Sequence, residues 1–471
     1  MRGVCVMGAV QLAFNRVKNA FDMNPNPDYS MRKHWLQQLR KALRQHEQAL
    51  ISAMSQDFGG RSKMECRMAD LMPSYSLLRY SQRNLSRWMR PEKRHVDLSF
   101  WPARAWVEYQ PLGVVGIIVP WNYPVNLALL PLITALAAGN RVLLKLSELT
   151  PQTNQALRQM LSDAFADEEV GVVDGGPDIA AEFAALPFNH LLFTGSTAVG
   201  RKVMQSAAAN LTPVTLELGG KSPVLIAPDI DIARIAPSIA FGKALNAGQT
   251  CVAPDYVLCP EERQDTLIAE MQAAFARQYP DALKNEAYTS VISDAHFQRL
   301  MHLLNDAQSL GAQIIPLQTP AIDPVTRRMV PHLITHVTED MQVMQEEIFG
   351  PLLPIKTYDV IGIALRYIHH RPRPLALYLM TDEPFLTEMV IKTAHAGGMC
   401  INETVFHAAI DSLPFGGVGA SGMGQYHGPE GFRTFSKPKS VLSYGKMNFN
   451  SLIHPPYRWW HRLLLRWLSR R

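Results

Sequence analysis

The sequence predicts an α/β protein: a doubly wound, Rossmann-like parallel sheet, a second α/β unit and a small β ribbon. Three observations carry that expectation. Short β-branched runs alternate with helical stretches between Val114 and Leu218. The alternation resumes beyond Leu218. Two β-leaning pieces, 100–110 and 435–444, stand outside both alternations and are expected to pair as a projecting ribbon.

Taken in order, residues 30–58 read as one amphipathic helix. Trp35, Leu39, Leu43, Leu50 and Met54 recur at helical spacing, and Gly59-Gly60 stops it. A second helical stretch covers 63–89 and is closed by Pro91. Then come strand 114–119, helix 125–138 and strand 141–146. Thr150-Pro151 reads as an N-cap with proline at the first helical position, opening a helix that runs to Phe165. Strand 170–173, helix 178–186, strand 190–193, helix 197–208 and strand 214–218 complete the unit. Strands and helices in this alternation make a parallel sheet, which takes its ligand where strand ends meet helix N-termini. Beyond it, strand 224–227, a long helix to 247, strand 252–258 and helix 266–279 form the second unit. The expected division is 1–219 for the N-terminal helices and cofactor domain, with 98–111 in the ribbon. Residues 220–422 form the catalytic domain, 423–450 the returning ribbon strand, and 451–471 a tail.

At 471 residues the chain has room for two or three domains. Net charge is +5, and Arg458, Arg462, Arg466, Arg470 and Arg471 carry five positive charges at the C-terminus. The body is therefore close to neutral, which argues against nucleic-acid binding. Five cysteines (Cys5, Cys66, Cys251, Cys259, Cys400) form no CxxC pair, so a reduced cytoplasmic protein is expected. The apolar run 4–10 is short for a signal peptide, and 125–138, broken by Asn126 and Pro131, is too short to span a bilayer.

Five stretches carry chemistry. Cys251, in Gly248-Gln249-Thr250-Cys251, sits on the turn between a helix and a strand, where a thiol can act as a nucleophile. The competing reading is a small buried hydrophobe. Asn122, in Pro120-Trp121-Asn122-Tyr123-Pro124, offers an amide to a developing oxyanion, or else merely forms a turn. Glu217, between Leu216 and Leu218, reads as a desolvated base or as a satisfied structural carboxylate. Gly195, Ser196 and Gly200, between a strand and a helix, suit a pyrophosphate, while Lys145 and Glu148 suit an adenosine ribose or a plain helix entrance. Gly417 to Gly422 fits GxGxxG, but no strand precedes it, so it is rejected as a dinucleotide fingerprint. No histidine spacing suggests a metal site.

Together PWNYP, FTGSTAVG, ELGGKS, GQTC and EEIFGP, in that order, resemble the NAD(P)-dependent aldehyde dehydrogenase superfamily over nearly the whole chain. RPRPLALYL and the stretch 413–442 are similar to its class 3, and 99–124 looks most like the bacterial coniferyl aldehyde dehydrogenases. The resemblance implies NAD- or NADP-dependent oxidation of an aromatic or fatty aldehyde to its acid, in a homodimer. It implies Cys251 as nucleophile, Asn122 and the Cys251 N–H as oxyanion holders, and Glu217 as the base that activates water. Glu347 would bind the nicotinamide ribose, with Phe349 beside it. Lys145 and Glu148 would take the adenosine ribose, and Gly195, Ser196 and Gly200 the pyrophosphate region. Leu146 stands where the family often has proline, which leaves the choice between NAD and NADP open. A CoA-acylating relative, or a non-catalytic protein on the same scaffold, are the alternatives. The first has no need of a carboxylate such as Glu217.

Arg458, Arg462, Arg466 and Arg470 recur every four residues opposite Trp459, Trp460, Leu463, Leu464, Trp467 and Leu468. Such a helix suits an anionic membrane surface at the cytoplasmic face, or packs on its own subunit or a partner.

Overall fold

The computed structural model describes residues 8–97, 100–446 and 448–469. Cys5, most of the 4–10 run, the ribbon positions 98 and 99, Arg470 and Arg471 lie outside the described residues, as do the side chains of Leu464, Trp467 and Leu468.

The first sheet has the strand order Gly422–Met423, Val214–Leu218, His190–Gly195, Val114–Ile118, Arg141–Lys145, Val170–Val173. Its last five strands are parallel, as their runs of buried Val, Ile and Leu require when helices cover both faces. The chain winds outward from Val114–Ile118 through 141 to 170, then crosses back to 190 and 214. Strand order thus reverses between Val114–Ile118 and His190–Gly195, opening a crevice at their carboxyl ends. The second sheet runs Gln313–Pro316, His332–Thr335, Leu352–Tyr358, Tyr256–Pro260, Pro223–Ile226, Ala376–Met380, Gly398–Ile401. All its neighbouring strands are parallel except the first pair. Arg104–Pro111 and Ser436–Ser443 pair antiparallel as expected, and Glu92–Arg94 adds a third strand too short to read from sequence.

The long helix is Tyr29–Phe58, capped by Asp28 and ended by Gly59 at φ +68°. It is preceded by a helix at Ala9–Met23. The stretch expected as one helix over 63–89 holds a π-helical segment at Cys66–Leu71, followed by Met72–Trp88. Asp70, within that segment, and Glu65, just before it, are both buried. Three expectations need correction. Thr150 makes no side-chain cap on the helix Pro151–Ala164. Asp57, at the end of the long helix, caps it instead, accepting from the N–H groups of Gln152 (3.0 Å) and Thr153 (2.8 Å). The helix expected to reach 247 is Ile232–Ala244, because Asn246 and Ala247 take left-handed φ of +51° and +52°. The strand expected from 252 begins at Tyr256, since 251–255 is turn.

Candidate active site

Cys251 stands on that turn, partly exposed, at the wall of a cavity of about 140 Å³. Three successive left-handed residues, Asn246, Ala247 and Gly248 (φ +72°), turn the chain out of the helix toward the crevice. Gly248 is obligatory, because a Cβ there would collide with the backbone carbonyl of Gly350. The turn is then tied on every side. Gln249 donates to the carbonyls of Asn246 (2.9 Å) and Ser290 (3.1 Å) and accepts from the Ile292 N–H (2.9 Å). The Thr250 and Tyr123 hydroxyls lie 2.6 Å apart.

Asn122 follows the central strand and is buried. One N–H of its amide donates to the Gln249 carbonyl at 3.2 Å, two residues from the sulfur, which leaves the second N–H for another acceptor. The main-chain carbonyl of Asn122 accepts from Arg61 Nη1 (3.0 Å) and Asn246 Nδ2 (3.0 Å). Arg61 Nη2 lies 2.8 Å from Asp70 Oδ2, with both side chains fully buried. Asp70 Oδ1 accepts the N–H groups of Val125 (3.2 Å) and Asn126 (3.0 Å) and so anchors the start of the helix Asn126–Ala137. Glu65 accepts from the Asn246 N–H (3.2 Å) and the Thr289 hydroxyl (2.7 Å). Burial pushes the Glu65 carboxyl up to about 7. Sequence reasoning missed Arg61, Glu65 and Asp70, because nothing local marks a charge that only long-range packing buries.

Glu217 lines the same cavity, 3% exposed, and neither carboxylate oxygen has a partner among the described residues. Burial without compensation raises its pKa well above the ordinary value. The rejected glycine motif has a structural use here: Gly422 lies opposite Glu217 in an antiparallel pair, and no strand occupies 412–418. Glu347 is half-buried, and a Cβ on Gly219 would collide with its carboxylate. Burial and the negative charge of Asp255 push it up to about 8, against a hydrogen bond from the Gly220 N–H. Its loop is clamped by Lys221, which pairs with Asp255 and donates to the carbonyls of Val343 (2.8 Å) and Glu346 (3.0 Å), and by Arg299, which donates to that of Glu347 (3.1 Å). Phe349 packs edge-on against Trp121, with centroids 5.3 Å apart. The Cys251 thiol is pushed up to about 12 by burial, then by the charges of Glu347 and Glu217. Cys251 and Glu217 thus share one cavity wall, while Asn122 and Glu347 do not line it: Asn122 is tied to the Cys251 turn through the Gln249 carbonyl, and Glu347 is near enough to raise the thiol.

Lys145, Glu148, Gly195, Ser196 and Gly200 do not line that cavity. They lie at carboxyl ends of the first sheet and at the helix start beside them. Buried Lys145 donates to half-exposed Glu148 at 3.1 Å. Ser196 caps the helix Thr197–Ala208 at Val199, and a Cβ on Gly200 would meet Leu218 at 2.7 Å. Backbone N–H groups at a helix start, glycine at the close approach and a paired lysine and glutamate fit a dinucleotide. Among the described residues no group of three or more His, Cys, Asp or Glu could hold a metal ion.

The profile of the aldehyde dehydrogenase family matches residues 7–441. A probable coniferyl aldehyde dehydrogenase of Pseudomonas aeruginosa is 48% identical over 448 residues, covering 95% of this chain and 94% of the relative. Staphylococcus aureus AldH, solved in a substrate-bound state, superposes with a TM-score of 0.94 at 37% identity, covering 98% of this chain and 100% of the other. An aldehyde dehydrogenase of Mycobacterium tuberculosis in complex with NAD+ superposes at 0.83 with 29% identity, over 93% of this chain and 91% of the other. The chain belongs to the aldehyde dehydrogenase family, and its class is that of NAD(P)-dependent oxidoreductases.

Proposed function

We propose that the protein oxidises an aryl or cinnamyl aldehyde, such as coniferyl aldehyde, to its carboxylic acid through a covalent acyl group on Cys251. The observation that carries the reading is one cavity bearing both Cys251 and unpartnered Glu217, with otherwise largely apolar and aromatic walls. The Cys251 thiol gives up its proton to solvent as the sulfur attacks the aldehyde carbon, and the free N–H of Asn122 with the Cys251 N–H holds the resulting oxyanion. A nicotinamide bound in the crevice supplies the two-electron acceptor that the oxidation requires. Glu217, its pKa raised, then takes a proton from the water that hydrolyses the Cys251 thioester. Glu347 holds the nicotinamide ribose with Phe349 beside it, Gly195, Ser196 and Gly200 the pyrophosphate region, and Lys145 and Glu148 the adenosine ribose. An acidic group at that ribose favours NAD over NADP.

The aromatic walls favour a flat substrate: Phe241 and Phe406 stack at 5.8 Å with planes 7° apart. The relationship to a probable coniferyl aldehyde dehydrogenase supports the same choice. Residues 1–219 form the cofactor unit, 220–422 the catalytic one, and the ribbon joins two copies in a dimer. The tail serves as a peripheral membrane contact. Trp459 and Leu463 are exposed on its helix Trp459–Leu468, alongside exposed Arg458, Arg462 and Arg466.

The test is a panel of cinnamyl, benzoic and long alkyl aldehydes with NAD and NADP, read as NADH or NADPH absorbance. Cys251→Ala is expected to abolish turnover while leaving the circular dichroism spectrum unchanged. Retained turnover refutes the assignment.

A further inference from the structure

His427 lines the cavity that holds Cys251 and Glu217, and it is 4% exposed. Its ring stacks on Phe415, with centroids 5.4 Å apart and planes at 25°, and meets Tyr426 edge-on at 4.7 Å. Neither Nδ1 nor Nε2 has a hydrogen-bond partner among the described residues. Burial pushes its pKa down to about 4, so the ring is neutral and offers one N–H and one lone pair.

Other buried histidines of this chain are used differently. His190 Nε2 lies 2.9 Å from the Thr215 hydroxyl, and His332 Nδ1 lies 2.7 Å from the Val330 carbonyl. A buried imidazole normally recruits the chain in this way, because an unmet polar atom is costly. His427 instead presents both nitrogens unmet beside a cavity with aromatic walls. Cys251, Glu217, Tyr426 and His427 all line this one cavity.

We infer that His427 is the specificity-determining residue of this cavity, its imidazole hydrogen-bonding the phenolic hydroxyl of an aryl or cinnamyl aldehyde. The inference rests on the aldehyde-oxidising reading above and narrows its substrate class. A long alkyl aldehyde would leave both nitrogens unmet in the bound state. A phenol satisfies one of them and keeps the aromatic stacking.

The experiment compares kcat/KM for coniferyl aldehyde and for its analogue lacking the 4-hydroxyl, in the full-length enzyme and in His427→Phe. Phenylalanine keeps an aromatic ring against Phe415 and removes both nitrogens. The wild type is expected to prefer the hydroxylated aldehyde by about ten- to a hundredfold, the range of one buried hydrogen bond. In H427F that ratio is expected to fall toward one. A ratio preserved in H427F, with both substrates slowed alike, assigns the ring a packing role and overturns the inference. Should H427F not fold, the wild-type pair still decides, since equal kcat/KM for the two aldehydes overturns it. Absence of turnover with any aldehyde fells the functional reading and this inference with it, whereas turnover at a ratio of one fells the inference alone.

Discussion

At the scale of single residues, the site is governed by what glycine permits and what burial does to charge. The Glu347 carboxylate rests where a Cβ on Gly219 would be. That carboxylate is the far end of a flexible side chain, so Gly219→Ala is expected to push it aside at little cost to the fold. On the proposed role of Glu347 at the nicotinamide ribose, the expected outcome is a roughly tenfold or greater rise in KM for NAD, with the melting temperature nearly unchanged. Cofactor titration and calorimetry check it. Charge works in the same small space. Glu347 and Glu217 both raise the Cys251 thiol. Replacing Glu347 by Gln removes one negative neighbour, stabilises the thiolate and lowers the thiol pKa. The pH profile of Cys251 alkylation by iodoacetamide, followed by mass spectrometry, should shift toward lower pH in E347Q. An unchanged profile would mean that the Glu347 charge does not act on the thiol.

At the scale of elements, the N-terminal helices do more than cover the sheet. Asp57, the penultimate residue of the helix Tyr29–Phe58, caps the helix Pro151–Ala164, which lies between the strand of Lys145 and the next strand. Asp57→Ala is expected to cost about 0.5–2 kcal/mol, as the loss of a cap does. Chemical denaturation should show a lower midpoint with an unchanged slope. The stretch from Glu65 through the π-helical segment Cys66–Leu71 does comparable work for the site loops, because Glu65 bonds the 246 turn and Asp70 the 125–126 backbone. Two loops far apart in sequence are thereby held by one short stretch.

At the scale of the whole molecule, the family match ends at 441, and the basic tail lies beyond it. Trp459, Leu463 and Leu465 are more than half exposed on the tail helix, beside exposed arginines. Removing residues 455–471 is expected to lower co-sedimentation with anionic liposomes several-fold while aldehyde turnover in solution persists. Attraction to a charged surface is screened by salt, so binding of the intact protein should weaken as ionic strength rises. Equal sedimentation of both forms would leave the tail as a packing element of the protein itself.

Local patterning was enough to mark most elements of the first sheet, because strands buried on both faces and helices buried on one leave strong periodic signals. Helix Thr197–Ala208 and strand Val214–Leu218 fall on the expected residues. Cys251, Asn122 and Glu217 were legible as candidates from their residue types and neighbours, and Cys251 and Glu217 meet at one cavity. What the linear chain did not reveal were partners that depend on long-range approach. Asp57 displaced Thr150 as a cap, Arg61 and Asp70 became a buried pair beneath Asn122, and His427 came to a cavity wall. Propensity and periodicity are local, whereas desolvation and hydrogen-bond pairing are decided by whichever group the fold brings near. The sequence by itself therefore determined the alternation and the candidate chemistry. Tertiary structure alone decided which charges are buried, which of them are paired, and which polar atoms are left facing the cavity.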